Sequence, residues 1–190
     1  MEKLRDRYNK IVVPEMMEKF GLKNKMAVPS IKKVVLNSSF GKAVVGKAAG
    51  EREKIFNFIS QDLSLIAGQH TNIVKSKKSI AGFKLRENLE IAAVVTLRKE
   101  RMWDFLERLI YLSLPRSRDF KGLEPKSVDQ SGNLSIGFKE HIFFPEIFTE
   151  KEKTIFGLEV TVVTNAKNKE QGLELYKLMG FPMKEIKEVK

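Results

Sequence analysis

The sequence contains no cysteine, so neither a disulfide framework nor a thiolate metal site can be built from it. Histidine is nearly as scarce. His70 and His141 stand far apart, with no helical His-x-x-x-His spacing. A zinc or non-haem iron site asks for about three or four good side-chain ligands, so no metal and no other cofactor is expected. His70 reads as a surface or partner-facing residue and His141 as a loop residue. There is no run of about 18 apolar residues, so no membrane span is expected. No apolar core of signal-peptide type follows the charged start, which speaks against export. Cytoplasm, or an organelle matrix, is the expected compartment.

Acidic residues are also few. Lys and Arg number 35 against 24 Asp and Glu, giving a net charge of +11 and a pI near 9.7. Such a field attracts polyanions, whether nucleic acid, an anionic surface or an acidic protein. The acids mostly alternate with lysines, as at 51–54 and 150–153, a pattern of solvated faces rather than of acid–base pairs. No serine sits in a Gly-x-Ser-x-Gly context. One stretch imitates an enzyme motif, Gly41-Lys42-Ala43-Val44-Val45-Gly46-Lys47-Ala48, between a predicted strand and a predicted helix. That is where a phosphate-cradling loop belongs. Ala48 stands where the Mg²⁺-binding hydroxyl is needed, and no apolar strand ends in a suitable Asp: residues 160–163 run into Thr164 and Asn165. The motif fails as a nucleotide hydrolase, and no catalytic residue is expected.

What is present is a globular composition, 42% hydrophobic and 31% charged, with no repeat or long linker. Apolar spacing predicts a helix over 2–20, kinked at Pro14 and stopped at Gly21, and a strand over 31–40. A second helix is predicted over 50–67 before Gly68, and strands over 71–76 and 90–99. A third helix is predicted over 100–114, ending before Pro115. Short strands follow near 133–138 and 158–165, then a last helix capped by Asn168 and closed by Gly180. Without strict alternation of strand and helix, the expectation is one α+β domain over 1–190: a mostly antiparallel sheet, helices on one face, the other open to a partner.

Two basic segments stand out. Between His70 and Glu87 lie Lys75, Lys77, Lys78, Lys84 and Arg86 without an acid. The part 77–84 is too long for a tight hairpin and is expected to project as a flexible loop. Lysines neutralise phosphate, Ser79 donates, Gly82 permits close approach, and Phe83 stacks or braces the loop. The plain alternative is a solvated hairpin whose lysines discourage edge pairing. The second cluster, 115–122, offers Arg116, Arg118 and Lys121, with arginine suited to bidentate phosphate contact.

Several segments together resemble a known family: 31–41 (IKKVVLNSSFG), 65–69 (LIAGQ), 75–86 (KSKKSIAGFKLR), 95–98 (VTLR), 114–122 (LPRSRDFKG), 137–147 (GFKEHIFFPEI) and 178–182 (LMGFP). In order and over nearly the whole chain, they are similar to the bacterial-type large-subunit ribosomal protein "L five". The resemblance implies an α+β fold with an open concave sheet face that holds 5S ribosomal RNA in the central protuberance. It places the uncharged RNA-reading positions on Asn37, Gln69 and Thr96. It implies that the loop from Lys75 to Lys84 reaches peptidyl-site tRNA, and that the region from Arg116 to Lys121 lies toward a bridge with small-subunit protein "S thirteen". Arg86 and Arg98 would be further RNA contacts. Other implied partners are 23S ribosomal RNA and the neighbouring 5S-binding proteins. The chain departs from the family pattern at Ser38 and Ser39, at His70 and Thr71, in a longer stretch over 41–53, and in a charged tail over 184–190.

Overall fold

A computed structural model describes residues 3–117, 120–147 and 155–184. Its centre is a five-stranded sheet in the order β2-β3-β1-β5-β4. The strands are β1 (Ile31–Ser39), β2 (Asn72–Lys75), β3 (Glu90–Leu97), β4 (Leu134–Phe138) and β5 (Leu158–Thr164). The sheet is antiparallel, as expected. The Phe40 N–H donates to the Ile91 carbonyl, joining the end of β1 to the start of β3; Asn165 donates to Ser30, joining the end of β5 to the start of β1. The fold is α+β. The chain forms two compact units, Met1–Val34 with Arg98–Ile136 and Thr161–Lys190, and Val35–Leu97 with Gly137–Val160.

In the first unit the two long helices meet the same obstacle. The opening helix runs through Leu4–Arg7, a wider π turn Tyr8–Val12, and Val13–Phe20. The helix after β3 runs through Lys99–Arg108, a π turn Leu109–Ser113, and Leu114–Arg116. In each, a proline (Pro14 or Pro115) sits two residues after the π turn ends. Proline has no N–H to give and its ring crowds the carbonyl a turn earlier, so the wider turn relieves both problems. The expected stop before Pro115 is therefore corrected: the helix passes through Pro115 and ends at Arg116. The final helix, Lys169–Met179, begins after Asn168, but the Asn168 side chain makes no cap bond. Gln171 instead accepts from the Lys167 N–H. This helix packs on the loop before β4 at a point where neither chain has room for a side chain. A Cβ on Gly172 would lie 2.5 Å from the Gly132 Cα. Buried Tyr176 directs its hydroxyl at the Gly132 carbonyl, 3.0 Å away, and burial pushes that phenol's pKa well up.

The second unit is built on the helix Ala49–Ala67, which packs on β3 and buries Ile59, Leu63 and Ile66. Each fully buried side chain of this kind contributes about 1.5–3 kcal/mol. The Ser60 and Thr71 hydroxyls share a short hydrogen bond that ties the helix to the approach to β2. His141 is in a loop, as expected, yet fully buried. Its ring stacks on Phe156 at 3.7 Å, its Nδ1 accepts from the Phe156 N–H, and its Nε2 stands 3.5 Å from Asp62 Oδ2. With Nδ1 accepting, the ring proton belongs on Nε2, facing the carboxylate. Among the described residues no helix is long and apolar enough to cross a membrane, and no cluster of His, Asp and Glu is placed to hold a metal ion.

Candidate nucleic-acid interface

Strand alternation in the second unit sorts the residues by face. Leu36, Ser38, Ala93, Val95 and Leu97 are buried, so Asn37, Val94 and Thr96 between them point to the other, half-exposed side. β2 extends that side: Asn72 pairs with Val94 and Val74 with Ala92, and both Asn72 and Val74 are exposed. Gly68 ends the helix in the left-handed conformation, and the next residue, Gln69, donates from Nε2 to the Thr96 carbonyl at 3.4 Å. Thr96 lies on β3, the neighbour of β1, which carries Asn37. The three positions named from sequence are thus brought into one neighbourhood. Asn37 is unusual there, because its Oδ1 is buried without a hydrogen-bond partner. Such an acceptor pays the cost of desolvation unless something bonds to it. Asn72 was not anticipated; it lies in the segment 71–76, read from sequence as a strand with no side chain before Lys75 singled out.

The basic loop carries local structure of its own. Ile80 and Leu85 form an isolated antiparallel bridge around a 3-10 turn, Ala81–Phe83, and Lys84 takes a left-handed φ of 51°. At its base Ser76 is buried; its hydroxyl donates to the Arg86 carbonyl at 2.5 Å and accepts from the Leu89 N–H at 3.0 Å. These bonds fold the segment on itself. The Ser79 hydroxyl proton goes to the Leu85 carbonyl at 3.0 Å, leaving Ser79 only its lone pairs for a partner. Lys77, Lys78, Gly82, Lys84 and Arg86 are exposed. Phe83 is 75% exposed, so its ring does not brace the loop and is available for stacking. Lys75 differs: its ammonium pairs with Glu90 across the β2–β3 ladder at 3.6 Å.

The other cations named from sequence that the structure describes, Arg98, Arg116 and Lys121, fall in the first unit. Arg98 lines a cavity of about 570 Å³ with Arg5, Lys99, Glu100, Arg101 and Trp103. Of these, only Arg98 had been singled out as an RNA contact. Arg116 and Lys121 are exposed; Arg118 lies outside the described residues, as do positions 185–190 of the expected tail. Gly41–Val44, the start of the phosphate-loop imitation, is a helical turn in which the Ala43 and Val44 N–H groups donate to the Phe40 carbonyl, and the following Val45 N–H donates to the Gly41 carbonyl.

Comparison with known proteins gives the family. Residues 24–86 match the family model described as ribosomal protein L5, and residues 90–183 match the model for the C-terminus of the same ribosomal family. A protein of Geotalea daltonii named large ribosomal subunit protein uL5 is 48% identical over 97% of this chain and 99% of its own length. Proteins of the same name from Syntrophomonas wolfei and Colwellia psychrerythraea are 49% and 47% identical, again over 97% of this chain and 100% and 98% of theirs. The chain belongs to the ribosomal protein L5 family.

Proposed function

We propose that the half-exposed face around Asn37, Gln69 and Thr96 binds 5S ribosomal RNA, within a protein whose role is structural. As an L5-family member the chain is a non-enzymatic constituent of the large subunit of the cytoplasmic ribosome. One observation carries the RNA reading: the unsatisfied Asn37 Oδ1, on a strand face that also offers Thr96 and Asn72 and few charges. A neutral acceptor in a partly dry site suits a base-edge amine or a ribose 2′-hydroxyl, either of which donates. The +11 charge supplies affinity that does not depend on sequence.

The loop from Lys75 to Lys84 is read as a contact to peptidyl-site tRNA, with exposed Phe83 as its stacking ring. Arg86 and Arg98 serve 5S or 23S ribosomal RNA. Arg116, Arg118 and Lys121 face the bridge to small-subunit protein "S thirteen", and neighbouring 5S-binding proteins complete the surroundings. In this reading the whole chain, 1–190, acts as one RNA-binding domain with a basic loop and a charged tail. A gel-shift titration of the full chain against 5S RNA, with tRNA as competitor, tests the central claim. Tight 5S binding that excess tRNA does not displace is expected. Equal displacement by tRNA would reduce the interface to a general polyanion surface.

A further inference from the structure

The stretch over 41–53, the longer one, has a counterpart in space. A cavity of about 420 Å³ in the second unit is bounded by the turn 44–47, by Arg52 and by the basic loop between Ser79 and Leu89. Lys47, Arg52, Lys84 and Arg86 line it, and no acidic residue does. Four like charges around one small space repel one another unless an anion sits among them. Arg52 adds an independent sign: its Nε is buried and has no hydrogen-bond partner. A buried guanidinium N–H without an acceptor is costly, more so than a neutral one. The backbone is also committed to this shape. Gly46 takes a φ of 80° just before Lys47, and Lys84 holds a left-handed φ of 51° that lysine rarely adopts.

We propose that this cavity binds a phosphate group, with Lys47, Arg52, Lys84 and Arg86 as its counter-charges. The imitation of a phosphate loop thus acquires a use that its sequence pattern did not describe. Lys47 reaches the anion, while the cradle of loop amides is replaced by the turn Gly41–Val44 and the facing basic loop. Ala48 provides no hydroxyl for Mg²⁺, so the site holds phosphate without turning it over. The phosphate could belong to an RNA backbone or to a free nucleotide; the chemistry of recognition is shared. The proposal goes beyond the tRNA reading of the loop, because Lys47 and Arg52 lie outside that loop.

Calorimetric titration of the full chain with sodium pyrophosphate at low ionic strength tests it. Saturable one-to-one binding is expected. Lys47→Ala and Arg52→Gln should each weaken it by about tenfold, the loss of one charge-assisted contact. Lys126→Ala, an exposed change elsewhere, should leave it unchanged. Lys47 is exposed, so its variant reports even if Arg52→Gln folds poorly. Displacement of pyrophosphate by a short single-stranded oligoribonucleotide points to an RNA source, and displacement by GTP to a nucleotide source. Failure to saturate, an equal loss in Lys126→Ala, or displacement by neither competitor overturns the proposal. None of these outcomes touches the 5S reading, which rests on Asn37, Gln69 and Thr96.

Discussion

The sheet face around Asn37 and the loop from Lys75 to Arg86 lie in the same unit and are built on opposite terms. The face is half-buried and neutral, and holds an acceptor with no partner. The loop is exposed and cationic, yet its internal hydrogen bonds are made. A site that leaves a buried group unpaired gains most from a ligand that completes it, and so discriminates between ligands. A surface of exposed lysines attracts phosphate of any sequence and weakens with salt. On the proposed reading, this contrast would give specificity to the face and general attraction to the loop.

The largest expected effect breaks the loop at its base. Ser76→Ala removes a buried hydroxyl that serves as donor to Arg86 and acceptor for Leu89. Leaving both backbone groups unpaired should cost about 2–3 kcal/mol. Denaturant unfolding should show the loss, and amide exchange should accelerate between 76 and 89. If stability is unchanged, the loop is not held by this serine.

Next comes the face. Asn37→Ala should weaken 5S binding by about tenfold, or about 1.4 kcal/mol, with the salt slope unchanged, since no phosphate charge is lost. In the free protein the same change removes an unpaired atom, so stability should not fall. A variant that loses stability but keeps its RNA affinity would reverse the assignment. In the loop, by contrast, Lys77→Ala should leave 5S affinity intact. Its effect should appear in tRNA binding, as a fall of about 0.7–0.9 in the salt slope. An equal loss of 5S affinity would show that face and loop are one surface.

Sequence periodicity made the strands and helices legible because each has one face to bury, as Leu36 and Ser38 do around Asn37 and as Ile59, Leu63 and Ile66 do on their helix. The positions Asn37, Gln69 and Thr96 came from resemblance; alternation could say only that Asn37 and Thr96 leave the core. Other features depend on contacts distant in sequence. The order in the basic loop comes from Ser76, which composition presents as a small polar residue among lysines. The passage through Pro115 depends on a π turn that no propensity announces. His141 and Asp62 are 79 positions apart, and nothing local marks either as buried. The cavity charges Lys47 and Arg52 meet Lys84 and Arg86 only once the helix Ala49–Ala67 and β2 have been laid down.

The smallest expected effect tests the comparison from inside the loop. Lys75 carries the same charge as Lys77, but β2–β3 pairing places it opposite Glu90, and the two side chains meet at 3.6 Å. Both are substantially exposed, so the pair itself adds only about 0–1 kcal/mol to stability. Its consequence is electrostatic: a phosphate near Lys75 also feels the carboxylate, so less counterion is released there. Lys75→Gln should therefore lower the salt slope of tRNA binding by less than Lys77→Ala does. Glu90→Gln, which frees the ammonium, should raise the slope. Equal falls for Lys75→Gln and Lys77→Ala would mean that the loop acts only through its total charge, and that the fold of its base is irrelevant to binding.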